Sequence, residues 1–145
     1  MNKIFNSLAS AEYAKSIRSV DVKFKGYGTP SLYYMTMDIA MNISLVYQTN
    51  QWLLAKTHFN DMNLESFVKF IARWSKDACK LYNEHNASQD CRVAFLTSKD
   101  ACSYLHYKGI NAHLDTSSFL TLKVFADRRE AASFLAEGKQ PKLVS

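Results

Sequence analysis

Glycine and proline are scarce in this chain of 145 residues, which holds four of the first and two of the second. A many-turned all-β sandwich needs more of both, so their shortage points to helices and strands joined by few connections. Cysteine is sparse as well. Cys79, Cys91 and Cys102 are odd in number and show no CxxC spacing, which excludes a disulfide framework and fits a reducing, cytoplasmic setting. No stretch is apolar for the roughly 18 residues that a membrane span requires. The opening MNKIFNSLASAEYAK has no apolar run of signal-peptide length, so no secretory signal is expected.

Chemical signatures are missing too. The nucleophile elbow GxSxG and the phosphate-binding GxGxxG and GxxxxGK are absent; Gly26-Tyr27-Gly28 precedes a helix but lacks a third glycine. Of His58, His85, His106 and His113, only the last two share a helix spacing, and Gly109 between them and the lack of a carboxylate at ligand spacing leave no tight ligand pair, so neither a metal nor another cofactor is expected. Cys79 and Cys91 fall where a cysteine serves as a small buried hydrophobe. Cys102 lies near a helix start, where peptide dipoles favour a thiolate.

What is present describes a foldable domain. Apolar residues make up 48% and charged residues 21% of the chain, enough for a core without staples. The net charge is +5, with Lys and Arg spread along the sequence. The densest group, Asp127-Arg128-Arg129-Glu130, carries its own acids, so nucleic acid is not an expected partner.

Residues 1–18 read as a lead-in, with a short helix or irregular chain over 9–17. Val20–Lys25 alternates apolar with charged, the period of a half-buried strand. Thr29 and Pro30 open a helix, one as N-cap and the other at the first helical position, and it runs to about Tyr47. Trp52–Phe59 reads as a second strand. Asn63 caps a helix over 64–82, whose apolar residues at 64, 67, 68, 71, 74, 78 and 81 make a clear 3.6-residue stripe. Cys91–Thr97 is apolar enough for a central strand covered on both faces. Ser98-Lys99-Asp100 starts a third helix that Gly109 ends. Phe119–Phe125 is a strand nearer the sheet edge, and Asp127 caps a last helix over 128–136, stopped by Gly138. Residues 139–145 read as a frayed tail. The order βαβαβαβα predicts one α/β domain with a mainly parallel, four-stranded sheet and crossover helices.

The run Arg92-Val-Ala-Phe-Leu-Thr97, the helix start Ser98-Lys-Asp100 and Leu122-Lys-Val-Phe-Ala-Asp-Arg-Arg-Glu-Ala-Ala-Ser-Phe-Leu135 resemble the STAS-like proteins, in particular the SpoIIAA-like family. The likeness is strongest over residues 91–136. It implies a small α/β domain that binds or regulates. Members that act as phospho-switches carry a serine at the start of the helix after the second central strand. Here Asn60, Asp61, Asn63 and Ser66 occupy that region without the usual Asp-Ser-Ser-Gly pattern, so Ser66 reads as a helix-surface hydroxyl.

The first helix is apolar nearly all round. Leu32, Ile39, Ile43 and Val46 form one face and Met37, Met41 and Leu45 another, with Tyr33, Tyr34, Met35 and Tyr47 between them. Such a helix is buried on both sides or meets a partner, and Met suits a surface that accepts varied apolar groups. Tyr34, Met37, Met41 and Leu45 are therefore the expected surface for a protein partner, a small apolar ligand or a second copy. The reading is a non-catalytic binding module. The alternative is a small enzyme with a site at the carboxyl ends of the strands around His58, Asp61 and Glu65, where open α/β sheets hold ligands.

Overall fold

The computed structural model of the chain describes residues 3–5, 9–25, 29–57, 59, 63–84, 91–108 and 120–138. Strands β1 (Lys3–Phe5), β2 (Ala9–Ala14) and β3 (Ser19–Phe24) come first, followed by helix α1 (Pro30–Val46) and strand β4 (Gln51–Lys56). Helix α2 (Leu64–Glu84), strand β5 (Cys91–Leu96), helix α3 (Lys99–Lys108), strand β6 (Leu120–Phe125) and helix α4 (Arg128–Gly138) complete the order. The six strands form one sheet in the order β1-β2-β3-β4-β5-β6. β1 and β2 pair antiparallel, as do β2 and β3, whereas β3 through β6 run parallel.

The expected α/β class and mainly parallel sheet are present, but the count of four strands is too low. The lead-in is two strands. In Ala9-Ser-Ala-Glu-Tyr-Ala14, the residues facing the core are Ala9, Ala11 and Tyr13, and both alanines are fully buried. Helix α1 lies against this strand, and small side chains let it approach closely. Gly109, residues 111–118 and 139–145 lie outside the described residues.

Local signals set the helix starts. Thr29 Oγ1 accepts from the Leu32 N–H at 3.1 Å, Asn63 Oδ1 from Ser66 at 2.7 Å and Ser98 Oγ from Ala101 at 3.2 Å. Each satisfies a backbone donor that the first turn leaves open. Because the parallel strands advance in one direction, right-handed crossovers deliver α1, α2 and α3 to the same side of the sheet. The larger core forms there, from Val20, Val22, Phe24, Trp52, Leu54, Val93 and Phe95 against Tyr33, Met37, Phe67, Ile71 and Leu105. Among the described residues, α4 alone covers the other side, where Ala131, Phe134 and Leu135 pack on Leu53 and Ala94. Arg92 fastens this helix near its end, donating to the Phe134 carbonyl at 2.8 Å, where a cation also meets the negative end of the helix dipole.

Candidate functional site

Helix α1 does not present Met37 or Met41 outward. Met37 is 1% and Met41 4% exposed, because both sit against the sheet within the larger core. Leu45 is half-buried. Of the four residues expected to line a surface, only Tyr34 is exposed, and its outward neighbours are Met35, Asp38, Asn42 and Val46. The helix is apolar all round because it packs on β1, β2 and β3 below and on α2 beside it.

Helix α2 supplies the strongest charge pattern among the described residues. Lys69, Arg73, Lys76 and Lys80 are all exposed and follow one another by four, three and four positions. That spacing keeps them on a single face. From Lys69 to Lys80 the stripe is about 16 Å long at 1.5 Å per residue. Glu65 lies beyond one end and Glu84 beyond the other, and exposed Asp77, four residues from Arg73 and three from Lys80, edges the stripe along its length. Two tyrosines flank the helix: Tyr34 of α1 accepts from Arg73 Nη1 at 3.0 Å, and Tyr104 of α3 donates to Glu65 Oε2 at 2.8 Å. Those bonds fix both rings beside the stripe. Sequence reading missed it because cations three or four apart look dispersed until they are placed on a helix.

At the carboxyl ends of the strands, Asn63 is the cap of α2 and Ser66 an exposed residue in its first turn, as the sequence implied. Glu65 is exposed and turned to Tyr104. His58, Asn60 and Asp61 lie outside the described residues. The same edge holds a buried lysine. Lys56 is 1% exposed. Its Nζ donates to the Tyr33 hydroxyl at 2.8 Å and lies 5.3, 5.2 and 5.9 Å from the ring centres of Tyr33, Phe59 and Phe67. Aromatic faces stabilise such a cation through their quadrupoles. Its inward position was readable from strand parity, since Trp52, Leu54 and Lys56 share one face.

Cys102 is held as a thiol. Burial and the Glu130 carboxylate push its thiol above the usual value, which outweighs the pull of the α3 N-terminus. Its Sγ lies 3.9 Å from His106 Nε2, which in turn contacts the Val124 carbonyl at 3.2 Å. A thiol held protonated is a poor nucleophile.

A cleft of about 240 Å³ opens at the amino ends of the strands, lined by Tyr13, Arg18, Tyr47, Gln48, Thr49, Asn50 and Gln51. The rings of Tyr13 and Tyr47 stack with centres 4.1 Å apart and planes within 5°. Among the described residues no helix is long and apolar enough to cross a membrane. No protein-family model, curated protein or solved structure matches the chain.

Proposed function

We propose that the chain is a non-catalytic binding module of STAS-like type that docks an acidic segment of a protein partner across the outer faces of α1 and α2. The observation that carries this reading is the cation stripe of Lys69, Arg73, Lys76 and Lys80, bordered by Tyr34, which bonds Arg73, with exposed Met35 next to it in α1. Charged groups of one sign steer an oppositely charged partner, while tyrosine and methionine supply anchoring contact area. The stripe is short and closed at both ends by glutamates. A helical segment of about ten residues matches that length at 1.5 Å per residue, whereas a nucleic-acid backbone would meet Glu65 and Glu84 as it continued past. A second copy of the chain using this face would bring like charges together. The resemblance over residues 91–136 supports the STAS-like assignment, and the free thiols suit a cytoplasmic setting.

Fluorescence anisotropy with a labelled Glu/Leu amphipathic peptide tests the reading, with a duplex oligonucleotide and anionic vesicles as competing probes. The expected result is salt-sensitive peptide binding that weakens about tenfold or more in the K69E/K76E double variant. Peptide binding that ignores the charge reversal, or tighter binding of the oligonucleotide or vesicles, overturns it.

A further inference from the structure

Two non-glycine residues among those described adopt a left-handed backbone, Arg18 at φ 51° and Gln48 at φ 53°. Both line the cleft at the amino ends of the strands. Each occupies a place where glycine is the usual choice. Gln48 follows Tyr47, the C-cap of α1, and the Gln48 N–H bonds the Leu45 carbonyl at 3.3 Å while the Thr49 N–H bonds that of Ser44 at 3.0 Å. That pair of bonds is the Schellman ending, in which the left-handed residue is most often glycine. Arg18 ends the connection from β2 to β3, where the Ile17 and Arg18 N–H groups turn back to Ala14 and Lys15. Thr49 Oγ1 donates to the Arg18 carbonyl at 2.7 Å, so the two strained turns are tied to one another. Backbone strain persists where the surroundings hold it in place, and such positions cluster at binding sites. Here glycine would relieve the strain at both turns but would remove the two long polar side chains that line the cleft.

The cleft offers both signs of electrostatic partner. Arg18 brings a guanidinium, whose planar fork fits a carboxylate through two parallel bonds. The other wall is the end of the 17-residue helix α1, which has no basic residue in its last turn. The Ile43, Ser44 and Leu45 carbonyls already accept from Tyr47, Thr49 and Gln48, so what this end offers a cation is the negative pole of the dipole rather than a vacant acceptor. Gln48, Asn50 and Gln51 add amides, and the stacked Tyr13–Tyr47 pair forms an apolar flank. We infer that this cleft binds a free α-amino acid, with the carboxylate on Arg18 and the ammonium toward the end of α1. The volume of about 240 Å³ suits one such molecule. The site is distinct from the docking face on α2 and does not depend on it.

The test is a titration of the full chain with the proteinogenic amino acids, followed by amide NMR shifts. For phenylalanine, 3-phenylpropionate and phenethylamine serve as controls that lack the amine or the carboxylate. The expected result is shifts gathered at residues 13–18 and 47–51 for at least one amino acid, with its deaminated and decarboxylated analogues binding at least about tenfold more weakly, the loss of one charged contact. Arg18→Gly and Gln48→Gly should each raise the melting temperature, since both relieve a left-handed backbone, and each should lose binding. No response to any amino acid, equal binding of the controls, shifts elsewhere, or binding that survives Arg18→Gly overturns the inference. Because both variants are expected to be more stable than the parent, lost binding in them cannot be ascribed to unfolding.

Discussion

Removing the Tyr82 hydroxyl should destabilise the fold by about 2 kcal/mol, although it deletes a single atom. Tyr82 stands near the end of α2 with its hydroxyl 2.9 Å from Ser44 Oγ and 3.3 Å from Trp52 Nε1. The indole N–H can only donate. Ser44 Oγ lies 2.9 Å from the Met41 carbonyl, which can only accept; with the Ser44 proton placed there, Tyr82 donates to Ser44 Oγ. A directed chain results, from Trp52 through Tyr82 and Ser44 to Met41, and its three side chains are at most 1% exposed. Water cannot replace a missing member. Tyr82→Phe leaves the Trp52 N–H without its acceptor, and a buried unsatisfied donor costs roughly 1–3 kcal/mol. For a domain of this size that lowers Tm by about 6 °C. Urea unfolding followed by far-ultraviolet circular dichroism measures the change, with the slope m unaltered. Ser44→Ala removes the Tyr82–Ser44 bond and should cost about 1 kcal/mol, whereas the double variant should fall short of the sum by about 1 kcal/mol, because the two changes share that bond. A loss under about 0.5 kcal/mol for Tyr82→Phe, within the range of ordinary surface changes, or strict additivity, would refute this directed chain.

Alkaline pH should weaken the protein. Burial pushes both the Cys91 thiol and the Tyr82 phenol well above their usual values of 9.0 and 10.0. The folded state therefore holds these protons more tightly than the unfolded chain, so their contribution is complete below pH 9.0 and declines as pH rises above it. Urea midpoints taken from neutral pH upward should fall beyond that point, and Cys91→Ala should flatten the first part of the decline; a midpoint that stays level to pH 11 (about one unit past the phenol's usual value) contradicts the assignment. Met41→Glu should unfold the chain, since a carboxylate placed in the main core costs about 4 kcal/mol or more. A folded, cooperative Met41→Glu variant by circular dichroism would show that the Met face of α1 is not in the core.

The parts of the fold legible in the sequence were those with a one-residue or one-turn signature. Thr29, Asn63 and Ser98 announce helix starts by their side chains, and the 91–96 run announces a strand covered twice. The hairpin of β1 and β2 had no such mark, because Ala-Ser-Ala-Glu-Tyr-Ala also suits a helix and its alternation is hidden by the small difference between Ala and Ser. Helix α1 was located well, but its outward face was not. Periodicity shows which residues share a face, not whether that face meets the sheet, and with Met, Tyr and Ile on every side the ambiguity was complete. The cleft was illegible for another reason: glycine advertises a left-handed turn, whereas Arg18 and Gln48 adopt one without any compositional sign. The α2 stripe was readable in principle from its four-three-four spacing.

The winding of the sheet accounts for where these surfaces lie. Each parallel crossover moves one strand further in the same direction, so three helices accumulate on one side and make a broad, charged outer layer there. Among the described residues only helix α4 lies on the other side, and its Arg128 reaches Asp21 of β3 at 3.0 Å. Beyond it, β2 and β3 carry Ser10, Glu12 and Lys23 on that face, which need no helical cover. The two ends of the sheet differ as well. At the carboxyl end the aromatic side chains of α1 and α2 close over Lys56. At the amino end α1 stops at Val46, and two turns held in left-handed conformation bring the chain back into β3 and β4. A helix continued by one more turn would fill the cleft. The Schellman ending at Gln48 is therefore what keeps it open, and replacing Gln48 by glycine would preserve that opening while removing one of its polar walls.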